Sequence, residues 1–385
     1  MRIALRAVLL SVAVAAAMPA VAGPYVGTVV ATGLNNPRGL TFGPDGALYI
    51  AEGGVFTPGG PTTIVRGQTA TYSETGSITR LQGGVQQRIV TGLASLAIPA
   101  LSDVSGPNDV AFGADGTGYV VVGLGANPAV RTGDLGPQGA KLGQVYSFSG
   151  GLVPRGDVAA FELANNPVGG AVDSNPFSVA AWSGGLAVTD AGSNTLLNVD
   201  PAGNVSLIAA FPPRFIGPPP PLSDSVPTGV VVGPEGNFYV TELTGFPFTQ
   251  GAARILRVTP GGTVSVAYSG FTALSDLAFG ADGTLYALEL DSNGLATPGV
   301  GGALIRINAD GSKTTLFNQG LVFATGLAIG SDGAFYVSRF GNQAGTGEVL
   351  RIAAIPEPTS WAMMIAGFGL AGLAARRRAP VSVPG

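Results

Sequence analysis

Pro37-Arg-Gly-Leu-Thr-Phe-Gly-Pro-Asp-Gly46-Ala-Leu-Tyr-Ile-Ala-Glu52 is the stretch that decides the fold. An apolar run, an Asp-Gly turn and a second run with a tyrosine predict a β-hairpin whose two turn residues both sit at positive φ. The pattern recurs along the chain. Pro107-Asn-Asp-Val-Ala-Phe-Gly-Ala-Asp-Gly116 leads to Tyr119, and Pro227-Thr-Gly-Val-Val-Val-Gly-Pro-Glu-Gly236 leads to Tyr239 and Glu242. Ser275-Asp-Leu-Ala-Phe-Gly-Ala-Asp-Gly283 leads to Tyr286 and Glu289, and Thr325-Gly-Leu-Ala-Ile-Gly-Ser-Asp-Gly333 to Tyr336 and Arg339. Pro176-Phe-Ser-Val-Ala-Ala-Trp-Ser-Gly-Gly185, leading to Asp190, is a degenerate copy. The turn glycines 46, 116, 185, 236, 283 and 333 are spaced by 70, 69, 51, 47 and 50 residues. A four-stranded propeller blade takes about 40–50 residues, so the first two copies carry insertions.

Each copy continues into two more strands, as in Arg254-Ile-Leu-Arg-Val, a Pro-Gly-Gly turn, and Thr263-Val-Ser-Val-Ala-Tyr. The sixth copy stops after its third strand, Glu348-Val-Leu-Arg-Ile352, and the missing fourth stands at the N-terminus, Tyr25-Val-Gly-Thr-Val-Val-Ala-Thr-Gly-Leu34. The expectation is an all-β, six-bladed β-propeller closed by pairing the two termini in one blade, which shields the edges an open array would expose. The copies resemble NHL repeats. Asp173-Ser-Asn-Pro-Phe and Thr189-Asp-Ala-Gly-Ser-Asn194, preceded by Asp157-Val-Ala-Ala-Phe-Glu-Leu-Ala-Asn-Asn166, are similar to the ScyD/ScyE family. That family takes its name from a pigment biosynthesis cluster, and its members often carry a C-terminal sorting tail.

Composition excludes several chemistries. The chain has 385 residues with no histidine and no cysteine. A Ser-His-Asp triad, a cysteine nucleophile, a Cys/His zinc site and a disulfide are therefore all ruled out. Lys+Arg number 19 and Asp+Glu 23, and no basic face suggests nucleic acid as a partner.

Both ends read as addresses. Arg2 and Arg6, an apolar run over 7–17 and Ala20-Val21-Ala22 predict a signal peptide spanning 1–22. At the other end Pro356-Glu357-Pro358, an apolar run over 361–375 and Arg376-Arg377-Arg378 resemble a PEP-CTERM sorting signal, spanning 356–385. The resemblance implies export in a Gram-negative bacterium that makes exopolysaccharide. It also implies an exosortase as processing partner, a transient transmembrane anchor at the C-terminus, and a body spanning 23–355 at the cell surface or outside. Without the five terminal arginines the 19 basic residues fall to 14 against 23 acids, a net charge of −9. Such a body favours cations, neutral glycans or basic partners.

Strand direction sorts the loops onto two ends of the ring. First-to-second and third-to-fourth turns are short and form a plain face. The long segments, 53–76 and 123–143 between second and third strands, and 91–106, 150–175 and 212–226 between blades, decorate the other face. The proline run 218–221 is expected to be stiff. Elaborated loops on a rigid scaffold are where binding usually sits. Second strands end there in Glu52, Asp190, Glu242, Glu289 and Arg339, and first strands begin there with Arg38, Asn108, Asp109, Thr228, Ser275, Asp276 and Thr325. Two expectations compete for these groups. Asn108, Asp109, Asp276, Glu52 and Glu289 form a candidate Ca2+ site, since Ca2+ needs only oxygen ligands. Alternatively the carboxylates cap nearby backbone N–H groups or pair with Arg339 or Arg38.

The functional expectation is a non-catalytic binding protein of the envelope or exopolysaccharide matrix. Its partner would be an extracellular polysaccharide or an envelope protein, met by Asp190, Glu242, Arg339, Arg38 and the loop aromatics Phe56, Tyr72, Phe215, Phe246 and Phe248. The alternative, from resemblance to gluconolactonase-type propellers, is a Ca2+-dependent lactonase-like hydrolase. A pigment-biosynthesis accessory is implied by the family name alone.

Overall fold

The computed structural model describes residues 24–216, 222–297 and 299–355. The signal peptide, the proline run and the sorting signal lie outside them. Six antiparallel sheets form the blades of one ring. The inner strands are Pro37–Phe42, Pro107–Phe112, Pro176–Trp182, Pro227–Val232, Leu274–Phe279 and Gly326–Ile329, in blades 1 to 6. In blade 6 the third strand, Gly347–Ala354, pairs with Tyr25–Leu34, which is the fourth. The ring therefore closes through the N-terminal strand, as the sequence implied. Pro24 and Ile355 are adjacent, with the Ile355 N–H donating to the Pro24 carbonyl at 2.9 Å.

The core consists of six apolar clusters, and each lies on a seam between neighbouring blades. At the closing seam, Leu34 and Val349 of blade 6 pack with Leu40, Leu48 and Ile50 of blade 1. Edge-to-face aromatic pairs stitch several seams at the plain end. Tyr49 meets Phe112 at 4.8 Å, Tyr239 meets Phe279 at 5.2 Å and Tyr336 meets Phe42 at 5.1 Å between ring centroids. Such pairs add about 0.5–1.5 kcal/mol each beyond area burial.

The repeated turn differs from the two-residue type expected. In blade 1, Phe42 pairs with Leu48 across five residues, and the Gly46 N–H donates to the Gly43 carbonyl at 2.9 Å. Of Asp45 and Gly46 only Gly46 has positive φ, at 73°. This is a four-residue turn ended by a left-handed glycine. The aspartate instead stays outside that region and bonds forward. Asp45 accepts from the Ala47 N–H and from Tyr49 Oη, both at 3.1 Å. A side chain on Gly43 would lie 2.6 Å from the Tyr49 ring, which explains the first glycine of the motif.

Two insertions hold more regular structure than loops. Segments 53–76 and 91–106 extend the blade 1 sheet upward through Thr62–Val65, the long strands Gln68–Gln82 and Val85–Ile98, and Asp103–Ser105. Tyr72 is buried in that extension, 5% exposed, so it is a packing residue and not a surface aromatic. Segment 150–175 contains the fourth strand of blade 2, Val153–Asp157, and then a helix, Val158–Asn165. Only the part from Val158 onward links blades. Asp157 caps the helix by accepting from the Ala160 N–H at 2.9 Å.

Candidate functional site

The second and third positions of the inner-strand motif, aligned on Arg38-Gly39, cross five of the six seams, from blade 2 round to blade 1. At the second position, Asn108 donates to the Pro176 carbonyl at 2.9 Å, Thr228 to Leu274 at 2.9 Å and Thr325 to Pro37 at 2.8 Å. The third position reads Gly39, Asp109, Ser178, Gly229, Asp276 and Gly326 around the channel. Asp109 accepts from Ser178 Oγ at 2.7 Å and the Val179 N–H at 3.0 Å. Asp276 accepts from the Leu327 N–H at 2.7 Å, and Ser178 from the Val230 N–H at 3.2 Å. Each bond crosses a seam, so these polar residues form a belt around the axis. The glycines make room for it: a Cβ on Gly39 would lie 2.1 Å from Asp109 Oδ1.

Asp109 and Asp276 belong to opposite blades and both face the central channel, a cavity of about 450 Å³ with no basic residue in its lining. Burial pushes the Asp109 carboxyl up to about 6. Burial, and then the charge of Asp109, raise Asp276 well above the ordinary carboxylate range.

The strand-end carboxylates are each held within their own blade. Buried Glu52 accepts from the Asn35 N–H at 2.6 Å and pairs with Arg88 at 2.7 Å. Asp190, also fully buried, accepts from Ser174 Oγ, from the Asn175 N–H, and from the Gly192 and Ser193 N–H groups. Glu242 accepts from Ser225 Oγ at 2.7 Å and pairs with Arg254 at 2.7 Å and Arg214 at 3.3 Å. Glu289 accepts from the Thr272 N–H at 2.8 Å and Ser292 Oγ at 2.6 Å. In blades 1, 3 and 5 the first of these donors lies one or two residues before the inner strand. The carboxylate thus fastens the incoming link. Arg339 performs the mirror task, donating to the Gly320 carbonyl at 2.9 Å and pairing with Glu348. Arg38 reaches the Val104 carbonyl at 2.8 Å and stands 4.0 Å from Asp103.

Capping is therefore present, but its arginine partners are Arg88, Arg214 and Arg254, not Arg38 or Arg339. Of the five candidate Ca2+ ligands, only Asp109 and Asp276 act on each other through their charge. Glu52 and Glu289 remain with their local donors, and among the described residues no three carboxylates are grouped closely enough to share a metal ion.

Glu242 opposes Arg254 in blade 4, where Thr241 pairs with Ile255, and Arg339 opposes Glu348 in blade 6. The pair is the same with its charges exchanged. Arg339→Glu alone is expected to be destabilising, because it sets two acids side by side. Adding Glu348→Arg should recover about 1–2 kcal/mol, read as coupling in a double-mutant cycle of urea melts.

Residues 354–378 match the PEP-CTERM protein-sorting motif. The PEP-CTERM motif implies an exported, surface-sorted protein processed by an exosortase. Among the described residues no helix is long and apolar enough to cross a membrane, and the apolar run 361–375 lies outside them. No curated protein matches the sequence. Among solved structures the chain is similar to a streptogramin B lyase, at 14% identity and TM-score 0.49, with 86% of this chain and 98% of that one covered. It is also similar to a catalytically inactive virginiamycin B lyase from Staphylococcus aureus with quinupristin, at 12% and 0.47, covering 86% and 100%. A third is a calcium structure of a Trichoderma reesei carbohydrate-active enzyme of family AA12, at 13% and 0.47, covering 87% and 97%. Others are named for gluconolactonase or sugar dehydrogenase activity, so no single activity follows. The six-bladed architecture rests on the strand pairing itself.

Proposed function

We propose that this surface-sorted propeller is a non-catalytic binding protein of the envelope or exopolysaccharide matrix, with its ligand on the decorated face. One observation carries the reading. The insertions build out one end of the ring only, and that end presents Phe246, Phe215 and Phe56 at 74%, 64% and 48% exposure. Phe248 stands edge-on to Phe246 at 6.3 Å. The loops bearing Phe246 and Phe215 adjoin, since the Gly245 N–H donates to the carbonyl of Asp224 at 2.9 Å. Exposed aromatic faces of this kind suit stacking against sugar rings. The likeness to ScyD/ScyE fits an exported role and adds no activity.

A lactonase-like reaction would need Asn108, Asp109, Asp276, Glu52 and Glu289 to exchange present partners for a shared Ca2+. That cost favours the binding reading. An array of bacterial polysaccharides probed with the purified protein tests it. Binding is expected, with at least a ten-fold loss in Phe215→Ala/Phe246→Ala, and millimolar Ca2+ should leave the melting temperature as EGTA does. A Ca2+ shift abolished by Asp276→Asn, together with lactone hydrolysis, would overturn it.

A further inference from the structure

A second feature of the decorated face lies between blades 2, 3 and 4. The helix Val158–Asn165, the segment preceding blade 3, the loop 191–194, and Pro213 and Asp224 before blade 4 enclose a cleft of about 410 Å³. Glu162, Asp173 and Asp224 line it, and Asp190 lies behind them. No lysine or arginine is in the lining. Glu162 is 1% exposed, and its Oε2 has no hydrogen-bond partner. Asp173 Oδ1, also buried, has none either. A buried acceptor left unsatisfied costs about 1–3 kcal/mol, and more when charged. Asp190, by contrast, has every donor it needs from Ser174, Asn175, Gly192 and Ser193. The unsatisfied acceptors are therefore Glu162 Oε2 and Asp173 Oδ1.

A donor-rich cation answers them. Among the described residues no three carboxylates stand close enough to share a metal ion. An ammonium group with its own N–H donors and a carbon body suits a cleft of this size better.

We propose that this cleft binds a small organic cation, an amine whose ammonium donates to Glu162 Oε2 and Asp173 Oδ1. The proposal rests on the reading of the decorated face as the binding face. It can fail alone, because polysaccharide binding through Phe215 and Phe246 does not require it. Occupancy should be linked to protons. Burial first, then the charges of Asp190 and Asp173, push Glu162 up to about 7. Burial and Asp190 push Asp173 up to about 6, against a smaller opposing pull from Arg66. The other charged groups on the packed elements are engaged elsewhere: Arg131 pairs with Asp157 at 2.7 Å, Arg66 with Asp103, and Asp224 accepts from Asn194 at 3.3 Å. An ammonium selects the ionised acids, so affinity should rise as pH goes from 5 to 7.

The test is calorimetry and thermal melting of the purified protein with putrescine, glucosamine or CaCl2 at matched ionic strength. One or both amines should bind at pH 7, where both are mainly protonated, and more weakly at pH 5; which one binds separates a polyamine from an amino sugar. Glu162→Gln and Asp173→Asn should each lose ten-fold or more in affinity while raising the melting temperature of the unliganded protein. Asp45→Asn, an equal charge loss on the plain face, should leave the affinity unchanged. Absence of amine binding, response to CaCl2 alone, or equal loss in Asp45→Asn would each overturn the proposal.

Discussion

Deleting Tyr25–Leu34 is expected to abolish the folded ring, not merely trim it. The strand is the fourth of blade 6 and pairs with Gly347–Ala354. It contributes Ala31 and Leu34, 3% and 0% exposed, to the seam that joins blade 6 to blade 1. Removing it opens that seam and bares a strand edge, a template for association with other chains. Loss of the Leu34 side chain alone costs about 2–5 kcal/mol, a large part of a whole domain's net stability. Size-exclusion chromatography should show aggregate or unfolded chain. A circular permutant that joins 354 to 25 by a short glycine linker and opens the turn at Ser183-Gly184 keeps every strand. It should elute as the parent does and melt cooperatively. If the deletion variant melts like the parent, the closure described here is not what holds the ring.

The second large effect is on pH dependence. The ordinary value for Asp109 is 3.8, and burial lifts it to about 6 in the folded chain. A group whose folded value is raised stabilises fully below its unfolded value and ceases to do so as pH climbs through the folded one. The window is therefore pH 4 to 6 for Asp109. Asp276, raised by burial and by Asp109, extends it upward. Two pK units correspond to about 3 kcal/mol, most of it lost across that window, so Asp109 alone should leave the folded chain less stable at pH 8 than at pH 4 by about 2–3 kcal/mol. Asp109→Asn/Asp276→Asn should raise the midpoint of urea unfolding at pH 8 and bring little or nothing at pH 4. A profile unchanged by the double substitution would show that the channel acids titrate normally. The turn acids oppose this trend only at lower pH. Hydrogen bonds from Thr284 hold Asp282 below its usual range, and Arg351 does the same for Asp332.

The blade pattern is legible because it is local and repeated: Gly-x-Asp/Glu-Gly, its tyrosine and the inner-strand run recur within about twenty residues in every copy but the third. Ring closure was legible for the same reason, since Tyr25–Leu34 matches the strand that blade 6 lacks. The turn geometry was misjudged because Asp-Gly also occurs where only the glycine is left-handed, and the spacing to the second strand was the clue. The upward extension of blade 1 hid behind glycines, although Thr69-Ala-Thr-Tyr-Ser73 alternates as a half-buried strand should. Helix Val158–Asn165 is barely two turns long and depends on the Asp157 cap. The strand-end acids were found by position, but their arginine partners came from strands whose pairing register no local pattern reveals. The acidic cleft has no single local signal, because its walls are drawn from four segments spread between Glu162 and Asp224.

Closure through both termini also sets an orientation. Tyr25–Leu34 runs toward the decorated face and Gly347–Ala354 runs away from it, so both ends of the described chain leave from the plain side. The matched segment begins at 354, where that last strand ends. The residue at which the sorting motif starts thus stands among the short turns, while the built-up loops occupy the opposite end of the ring.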